Sequence, residues 1–379
     1  MRCAQSPMRF SPRLIAACAL LPVLAGCSSQ PAVPPPLSDA ALAVVAKEPG
    51  APTEELARQV DDLFTKDGIG ETRALVVMHG GYIAAERYAP GYRPDTRFVS
   101  WSMAKTVTAV MIGMLVADGR LRLDESPPIP RWQRPGDPRG EITLRQLLQM
   151  RSGLRHSEAS DPPYESGEVR MLFLDGRDDM ADVAESQPLE AEPGAKFEYS
   201  SNTTVILADI ASRALTRSRD PDTRRRAVLD YLQSRLFKPL GMTSMVPEFD
   251  RSGTLIGGSL IHGTARDWAR FGDFLRNEGS YRGVQLVPRR WIEFMTTPSP
   301  RRGNYGAQTW LNRGAPSDDD PLFGARGPKS LFAMIGHVGQ FVLVAPDRQL
   351  VVVRLGHSDG TIPPMVQELA DIVELYPGR

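Results

Sequence analysis

Cysteine is almost absent from this sequence. Its three cysteines, Cys3, Cys18 and Cys27, all lie within the first 27 of 379 residues. The rest of the chain therefore cannot supply a disulfide, a thiolate nucleophile or a cysteine ligand for a metal. The motifs H-E-x-x-H and G-x-S-x-G are missing too, as is a glycine-rich phosphate loop after a strand. These absences argue against zinc hydrolases, nucleophile-elbow hydrolases and nucleotide-binding enzymes.

Lysine is scarce, and the chain carries no excess charge. Only six of its 45 basic residues are lysines, and 45 acidic residues balance them. A net charge of zero gives no indication of a nucleic acid or another highly charged partner. Hydrophobic residues make up 41% of the chain and charged residues 24%, as in ordinary globular proteins, so a sizeable core is expected.

Long hydrophobic runs are also lacking. The longest uncharged segment near the start covers residues 14–26, follows three arginines and is too short to span a bilayer comfortably. It ends in Leu24-Ala25-Gly26-Cys27, which resembles the bacterial lipobox, where the cysteine is lipidated. We therefore predict a lipoprotein signal peptide at 1–26 and a lipid on Cys27, which would hold the protein on a bacterial membrane facing the periplasm. An ordinary secretory leader that is cleaved nearby is the alternative.

The pattern after Cys27 predicts a tether followed by one folded domain. Residues 27–52 are rich in proline and alanine, which suits a stiff linker, and residues 53–379 form the predicted domain. Apolar spacing predicts a helix after Glu54, a hairpin around His79–Tyr82, and helices at 102–118, 144–150 and 265–277. Thr143 and Gln146 predict a capping box at the start of the helix at 144–150. The segments SLFAMIG, QFVLVAP and QLVVVRLG predict three C-terminal strands, and a helix at 363–375 follows.

Strands at both chain ends predict an α+β fold. An antiparallel sheet would be built from both termini and flanked by helices, and a mostly helical lobe would be inserted between its halves. The α/β lobe is placed at about 53–120 and 255–379, and the helical lobe at about 121–254.

Ser102 and Lys105 are the first candidates for chemistry. Residues three apart on a helix share a face, so the lysine amine can lie beside the serine hydroxyl. Burial near a helix start would lower the pKa of that lysine and let it act as the base that a serine nucleophile needs. The alternative is a capping serine with a surface lysine. Only this lysine among the six has a serine three residues before it, and it opens a very apolar helix.

Two further segments become informative in combination. Tyr199 follows a Pro-Gly turn and could carry a proton between the serine and a leaving group. The Gly336–Gln340 segment lies between two predicted strands, and its glycines permit close approach of a ligand to the backbone. Taken singly, a packed tyrosine and a simple hairpin turn would explain these segments.

In this order, the three segments resemble the serine β-lactamase-like superfamily, whose motifs are S-x-x-K, Y-x-N and K-T-G or H-x-G. The longer matches around 100–105, 147–154, 197–201 and 336–340 are most similar to the class C-related branch and its 6-aminohexanoate-dimer hydrolase and esterase group. The resemblance implies a β-lactamase/transpeptidase-like fold and a nucleophile at Ser102. It implies proton transfer by Lys105 and Tyr199, and no metal or organic cofactor.

The same resemblance implies the substrate-binding residues. The backbone N–H groups of Ser102 and Gln340 would form the oxyanion hole. The other predicted substrate-site residues are His337, Gly339, Asn202 and Trp310, and the aromatic residues Trp101, Tyr164 and Tyr305 would also line the cleft.

Two departures from the family pattern bear on the substrate. Serine occupies position 201, where the family often has asparagine, and Asn202 comes one place late; His337 replaces a lysine. Both changes favour small ester or amide substrates over β-lactams. A D-alanyl-D-alanine carboxypeptidase or β-lactamase is the first alternative, and a non-catalytic binding module of the cell envelope is the second.

Overall fold

The computed structural model describes residues 36–314 and 321–378. The regular elements of this part of the chain are helices and antiparallel strands. The strands are β1 Glu71–His79, β2 Tyr82–Tyr88, β3 Phe98–Val99, β4 Val246–Pro247, β5 Ile261–Gly263, β6 Ser280–Tyr281, β7 Val284–Gln285, β8 Trp310–Leu311, β9 Phe332–Gly336, β10 Gln340–Ala345 and β11 Leu350–His357. The helices are α1 Asp39–Leu42, α2 Thr53–Thr65, α3 Ala104–Ala117, α4 Leu144–Leu148, α5 Gly167–Phe173, α6 Met180–Glu185, α7 Ser201–Leu215, α8 Pro221–Leu232, α9 Ala265–Arg276, α10 Arg289–Met295 and α11 Ile362–Glu374.

The main sheet joins the two ends of the domain, as the strand pattern predicted. Its six strands follow the order β2-β1-β11-β10-β9-β8, and each strand pairs with its neighbours in antiparallel orientation. Strand β1 pairs with β11 from Glu71↔His357 to His79↔Leu350, so residues almost 290 positions apart lie side by side. This central pairing confirms the predicted α+β architecture.

Alternating side chains give the sheet two apolar faces. On one face, Leu75, Val77 and Val352 pack with residues of α2 and α11. On the other, Val76, Val351 and Val353 pack with α9 and with the helices of the middle segment. Because nearly continuous apolar residues are buried on both faces, the sheet forms the centre of a layered structure. Each fully buried large apolar side chain contributes roughly 1.5–3 kcal/mol to this core.

Helix α3 runs through the core rather than along the surface. All residues from Ala104 to Leu115 are buried, as expected for a helix that is apolar all round. It packs against α7, and the 3₁₀ turn Trp101–Met103 comes directly before it. A charged residue near the start of such a helix is therefore surrounded by protein.

The middle segment is mainly helical, as predicted. Between residues 121 and 254 the structure has helices α4 to α8 and the two-residue strand β4. The predicted capping box is present at α4, where the Thr143 hydroxyl accepts from the Gln146 N–H and the Gln146 side chain accepts from the Thr143 N–H.

The predicted tether, residues 27–52, is wrong in its second half. Val45 forms a bridge with Ala85 of β2, and the Ala46 N–H donates to the Ala84 carbonyl. Residues 37 onward belong to the same compact unit as the rest of the domain. Alanine and valine in this stretch cover an edge of the sheet. The composition of the stretch had predicted a linker instead. The signal peptide, Cys27 and the first half of the tether lie outside the described residues.

Candidate active site

A tight turn presents the Ser102 hydroxyl at the start of α3. Trp101 has a φ of 46°, in the left-handed region that costs a non-glycine residue roughly 1–2 kcal/mol. The half-buried Ser102 follows in the 3₁₀ turn, and Lys105 is one turn further along. Lys105 Nζ donates to Ser102 Oγ over 2.9 Å. The predicted serine–lysine pair is thus formed by a backbone held in a strained conformation.

Lys105 is buried and uses each of its N–H groups. Besides Ser102, its ammonium donates to Ser201 Oγ at 2.7 Å and to the Gly258 carbonyl at 2.9 Å. Gly258 cannot be larger, because a Cβ there would lie 2.9 Å from the Ser201 carbonyl oxygen. The ammonium is therefore fixed by three oxygen atoms from three parts of the chain.

Tyr199 covers the ammonium from the side. Its ring centroid lies 4.8 Å from Lys105 Nζ, within the range of a cation–π contact, and its hydroxyl reaches the side chains of Ser102 and Lys105. Burial raises the pKa of Tyr199, although Lys105 opposes that shift. Tyr199 therefore meets Ser102 and Lys105, which precede it by almost 100 residues, as expected.

Two aromatic side chains pack against Tyr199, and a third packs against one of them. The Trp310 ring lies 5.4 Å from it, the Tyr305 ring 5.8 Å, and Phe197 packs on Tyr305 at 5.2 Å. Trp310 remains half-buried, so it borders the site as predicted. Tyr305 is buried and packs against Tyr199. Tyr164 is exposed on a separate turn.

Two glutamates, which sequence reasoning missed, stand behind the lysine. Ser201 Oγ lies 2.6 Å from Glu158 Oε1 and 2.9 Å from Glu168 Oε1, and Glu158 is 3.8 Å from Lys105 Nζ. They come from a loop and from α5, in a region whose conformation no local spacing signals. The only hint in the sequence was serine at position 201, where the family often has asparagine.

Tyr199 and these carboxylates reverse the expected shift in the pKa of Lys105. Burial alone would lower the pKa of the lysine, but the Tyr199 oxygen, Glu158 and Glu168 outweigh burial and raise it. The prediction of a lowered lysine pKa was therefore wrong in direction. The pKa of Glu168 is raised to about 7 by burial and by the charge of Glu158.

The third motif lies beside the nucleophile turn, with different roles for its glycines. A Cβ on Gly336 of β9 would lie 2.3 Å from the Ser100 carbonyl oxygen, so the absence of a side chain lets β9 approach the turn. His337 is exposed, and its ring contacts Trp101 edge-on with centroids 5.4 Å apart. This contact places His337 next to the residue that precedes Ser102.

Gly339 and the Gln340 side chain form hydrogen bonds with residues of strand β11. The Gly339 carbonyl accepts from the buried Arg354, and Gly339 has a φ of 88°. The Gln340 side chain donates to the Gly356 carbonyl and accepts from the Gly356 N–H, extending the sheet. Gly339 therefore turns the hairpin against Arg354, and its role in substrate binding stays a prediction. The Gln340 N–H as oxyanion donor stays a prediction.

Asn202 is turned away from the lysine. It is buried on α7 and lines a cavity of about 540 Å³ with His156 and Gly167, and its Oδ1 has no hydrogen-bond partner among the described residues. A step of one residue rotates a helical side chain by about 100°, so Ser201 and not Asn202 meets Lys105. The structure does not bring Asn202 to Lys105, and its contact with a substrate stays a prediction.

The described ranges show neither a metal cluster nor a membrane span. In residues 36–314 and 321–378, no group of three or more His, Cys, Asp or Glu side chains could hold a metal ion. No helix in this part of the chain is both long and apolar enough to cross a bilayer.

Comparison with known proteins identifies the family. A sequence model of the family described as Beta-lactamase matches residues 60–376. The chain belongs to the beta-lactamase family. It is 26% identical over 295 residues to the 6-aminohexanoate-dimer hydrolase of Paenarthrobacter ureafaciens, covering 71% of this chain and 73% of that protein.

Solved structures agree on the fold. A family VIII carboxylesterase superposes with a TM-score of 0.63 at 17% identity, covering 85% of this chain and 96% of that one. A penicillin-binding protein from Bacillus halodurans gives a TM-score of 0.58 at 16% identity, covering 83% and 98%. This member of the beta-lactamase family is a serine hydrolase with the predicted β-lactamase/transpeptidase-like fold.

Proposed function

We propose that this protein hydrolyses esters or small amides through an acyl-enzyme on Ser102. The observation that carries the proposal is the 2.9 Å contact between Ser102 Oγ and Lys105 Nζ beneath the Tyr199 ring. A serine hydroxyl needs a neighbouring group to take its proton before it can attack a carbonyl carbon. Lys105 and Tyr199 are the groups in place to receive that proton.

The reaction would proceed in two steps. Once Lys105 has given up one of its own protons, Ser102 Oγ forms a bond to the substrate carbonyl carbon while the Ser102 proton passes to the Lys105 amine. Tyr199 then carries a proton to the departing alcohol or amine, and the acyl group stays on Ser102. Water, deprotonated by the same groups, attacks the ester and releases the acid. The Ser102 and Gln340 N–H groups are the donors that we assign to the oxyanion.

Two groups that would bind the amide and the carboxylate of a β-lactam are missing from the site. The Ser201 hydroxyl accepts a hydrogen bond from Lys105, and the Asn202 amide lines another cavity. Neither residue therefore supplies an amide that binds a substrate carbonyl. His337 takes the place of the lysine that would attract a substrate carboxylate. Both changes favour small uncharged esters and amides over penicillins. The similarity to a 6-aminohexanoate-dimer hydrolase and to a carboxylesterase supports the same class.

The cellular location is a separate part of the proposal. The lipobox-like Leu24-Ala25-Gly26-Cys27 supports a lipid anchor on Cys27, which would place the domain at the cell envelope, facing the periplasm.

Substrate profiling tests the proposed class. The purified protein is incubated with p-nitrophenyl esters, short amides and β-lactams, and the hydrolysis rate and intact mass are measured. We expect fast turnover of short esters. Stable labelling by a fluorescent penicillin, together with slow ester turnover, would instead identify a cell-wall peptidase.

A further inference from the structure

The hydrogen atoms around Ser201 can be counted. Ser201 Oγ has three close polar neighbours: Lys105 Nζ at 2.7 Å, Glu158 Oε1 at 2.6 Å and Glu168 Oε1 at 2.9 Å. A hydroxyl donates one hydrogen and accepts up to two. It accepts one from Lys105 and donates its own to one glutamate. The contact with the other glutamate is a hydrogen bond only if that carboxyl group is protonated.

Geometry distinguishes the two carboxyl groups. Both oxygens of Glu158 face Ser201 donors, because Oε2 accepts from the Ser201 N–H at 2.7 Å while Oε1 meets the hydroxyl. That N–H is the first of the 15-residue helix α7, whose N-terminal dipole favours an anion. Glu158 is therefore the ionised partner. Glu168, whose pKa is raised to about 7 by burial and by the charge of Glu158, holds the proton at low pH.

Lys105 must lose a proton before it can act as a base, and Glu158 and Glu168 can receive that proton. Its three N–H groups point to Ser102, Ser201 and Gly258, so Lys105 is an ammonium without a lone pair. An ammonium cannot accept the Ser102 proton. One of its protons must leave first, and Ser201 is the neighbour that connects it to a proton acceptor.

We propose that Glu158 and Glu168 are positioning residues that together take a proton from Lys105 through the Ser201 hydroxyl. As Lys105 Nζ passes a proton to Ser201 Oγ, Ser201 Oγ passes its own proton to Glu158 Oε1. The products are a neutral Lys105 amine and a glutamate pair that shares the proton. The amine then accepts the Ser102 proton as Ser102 Oγ bonds to the substrate carbonyl carbon. This inference rests on the proposed hydrolysis at Ser102.

The proposal fixes the direction of the pH dependence. Two carboxylates in contact hold a first shared proton firmly and a second one weakly. While Glu168 is protonated, the two glutamates already hold their tightly bound proton and cannot readily take another. Once Glu168 is ionised, Glu158 and Glu168 can accept a proton from Lys105. The titratable groups facing the pair are Lys105 of α3, Tyr199 before α7 and Tyr305 before β8. Acylation should therefore speed up as the pH rises through about 7.

The test uses Glu168→Gln, because its amide reproduces the shape and the donor of protonated Glu168. kcat/KM for p-nitrophenyl butyrate, an uncharged ester, is measured from about pH 5 to 9 on wild type and variant. Wild type should show an acid limb near pH 7. The variant should stay at its low-pH level throughout, at least about tenfold below wild type at pH 8. Glu165→Gln, on the adjacent exposed turn, is the matched control and should follow wild type.

A spectroscopic readout keeps the test independent of folding defects in the variant. On wild type and on Ser102→Ala, infrared spectra should show a protonated carboxylic acid band that disappears as the pH rises through about 7. Active Glu168→Gln with an unchanged acid limb, or a wild-type spectrum without this band, would overturn the role of the pair and leave hydrolysis standing. Absence of any hydrolysis dependent on Ser102 would overturn the proposed function, and the inference with it.

Discussion

Gly336 of strand β9 and the carbonyl of Ser100 are in direct contact: a Cβ at Gly336 would lie only 2.3 Å from the Ser100 oxygen. The same Cβ would lie 2.9 Å from Gln340 Cβ. The sheet thus touches the turn that presents Ser102 through a residue without a side chain. A small change at Gly336 should therefore act on catalysis as well as on packing.

We expect Gly336→Ala to lower kcat/KM for a short ester by roughly ten- to a hundred-fold, because the added methyl pushes β9 and the Ser102 turn apart. Overpacking should also cost about 1–3 kcal/mol of the free energy of unfolding. Kinetics and denaturant unfolding measure the two effects. Gly303→Ala, whose Cβ would meet no atom within 4 Å, is the control. Wild-type kinetics in Gly336→Ala would show that the contact does not position the nucleophile.

His337→Lys tests the proposed preference for uncharged substrates. A permanent cation beside Trp101 should improve binding of carboxylate-bearing substrates. Losing such a charge-assisted hydrogen bond costs roughly 1.5–3 kcal/mol, so nitrocefin turnover relative to p-nitrophenyl butyrate should rise about ten- to a hundred-fold. The measurement is kcat/KM for both compounds on both proteins. A wild-type protein that already prefers nitrocefin would contradict the esterase assignment.

His156 predicts loss of stability in acid. Burial lowers the pKa of His156 to about 4 from an ordinary value near 6.5, and its Nδ1 pairs with the Ser200 hydroxyl. Between these values the unfolded chain binds a proton that the folded chain does not, so stability falls as the pH drops from about 6.5 to about 4. The full effect is about 3 kcal/mol.

The comparison of wild type with His156→Gln isolates this contribution, because buried glutamates titrate in the same experiment. Denaturant unfolding is measured at several pH values. The difference in unfolding free energy between the two proteins should change with pH below about 6.5. The exposed His357→Gln variant provides the control. A constant difference would mean that His156 titrates normally in the folded protein.

Cys27→Ala should release the protein from the membrane fraction. Lipid chains on Cys27 would supply the anchoring, and the folded domain begins near residue 37, so catalysis by the solubilised form should not change. Fractionation of cells and ester hydrolysis measure the two outcomes, with Cys18→Ala in the leader as the control. A processed variant that still sediments with membranes would reveal another anchor.

Local patterns in the sequence were sufficient for most of the fold. The capping box at Thr143, the hairpin after His79 and the apolar C-terminal strands each depend on neighbouring residues, and all appear as predicted. The segment around Val45 was misassigned because its alanines and prolines resemble a linker. Its contact with Ala85 depends on a strand that lies 40 residues further along.

In the site, too, the contacts between residues close in sequence were predictable and the long-range contacts were not. Ser102 and Lys105 are three residues apart, and their pairing follows from helix geometry. Glu158 and Glu168 reach the lysine only because a loop and α5 fold onto the start of α7. The orientation of Asn202 depends on where α7 begins, which the sequence patterns did not predict. Long-range placement, not residue type, limited the prediction.

The most direct test of the central claim is to trap the acyl-enzyme. The protein is mixed with a slowly hydrolysed ester and quenched in acid, and its intact mass and proteolytic peptides are measured beside Ser102→Ala. We predict a mass increase equal to the acyl group, located on Ser102 and absent from the variant, whose turnover should fall by several powers of ten. Turnover of the variant at more than a few per cent of the wild-type rate, or acylation at another residue, would contradict the account.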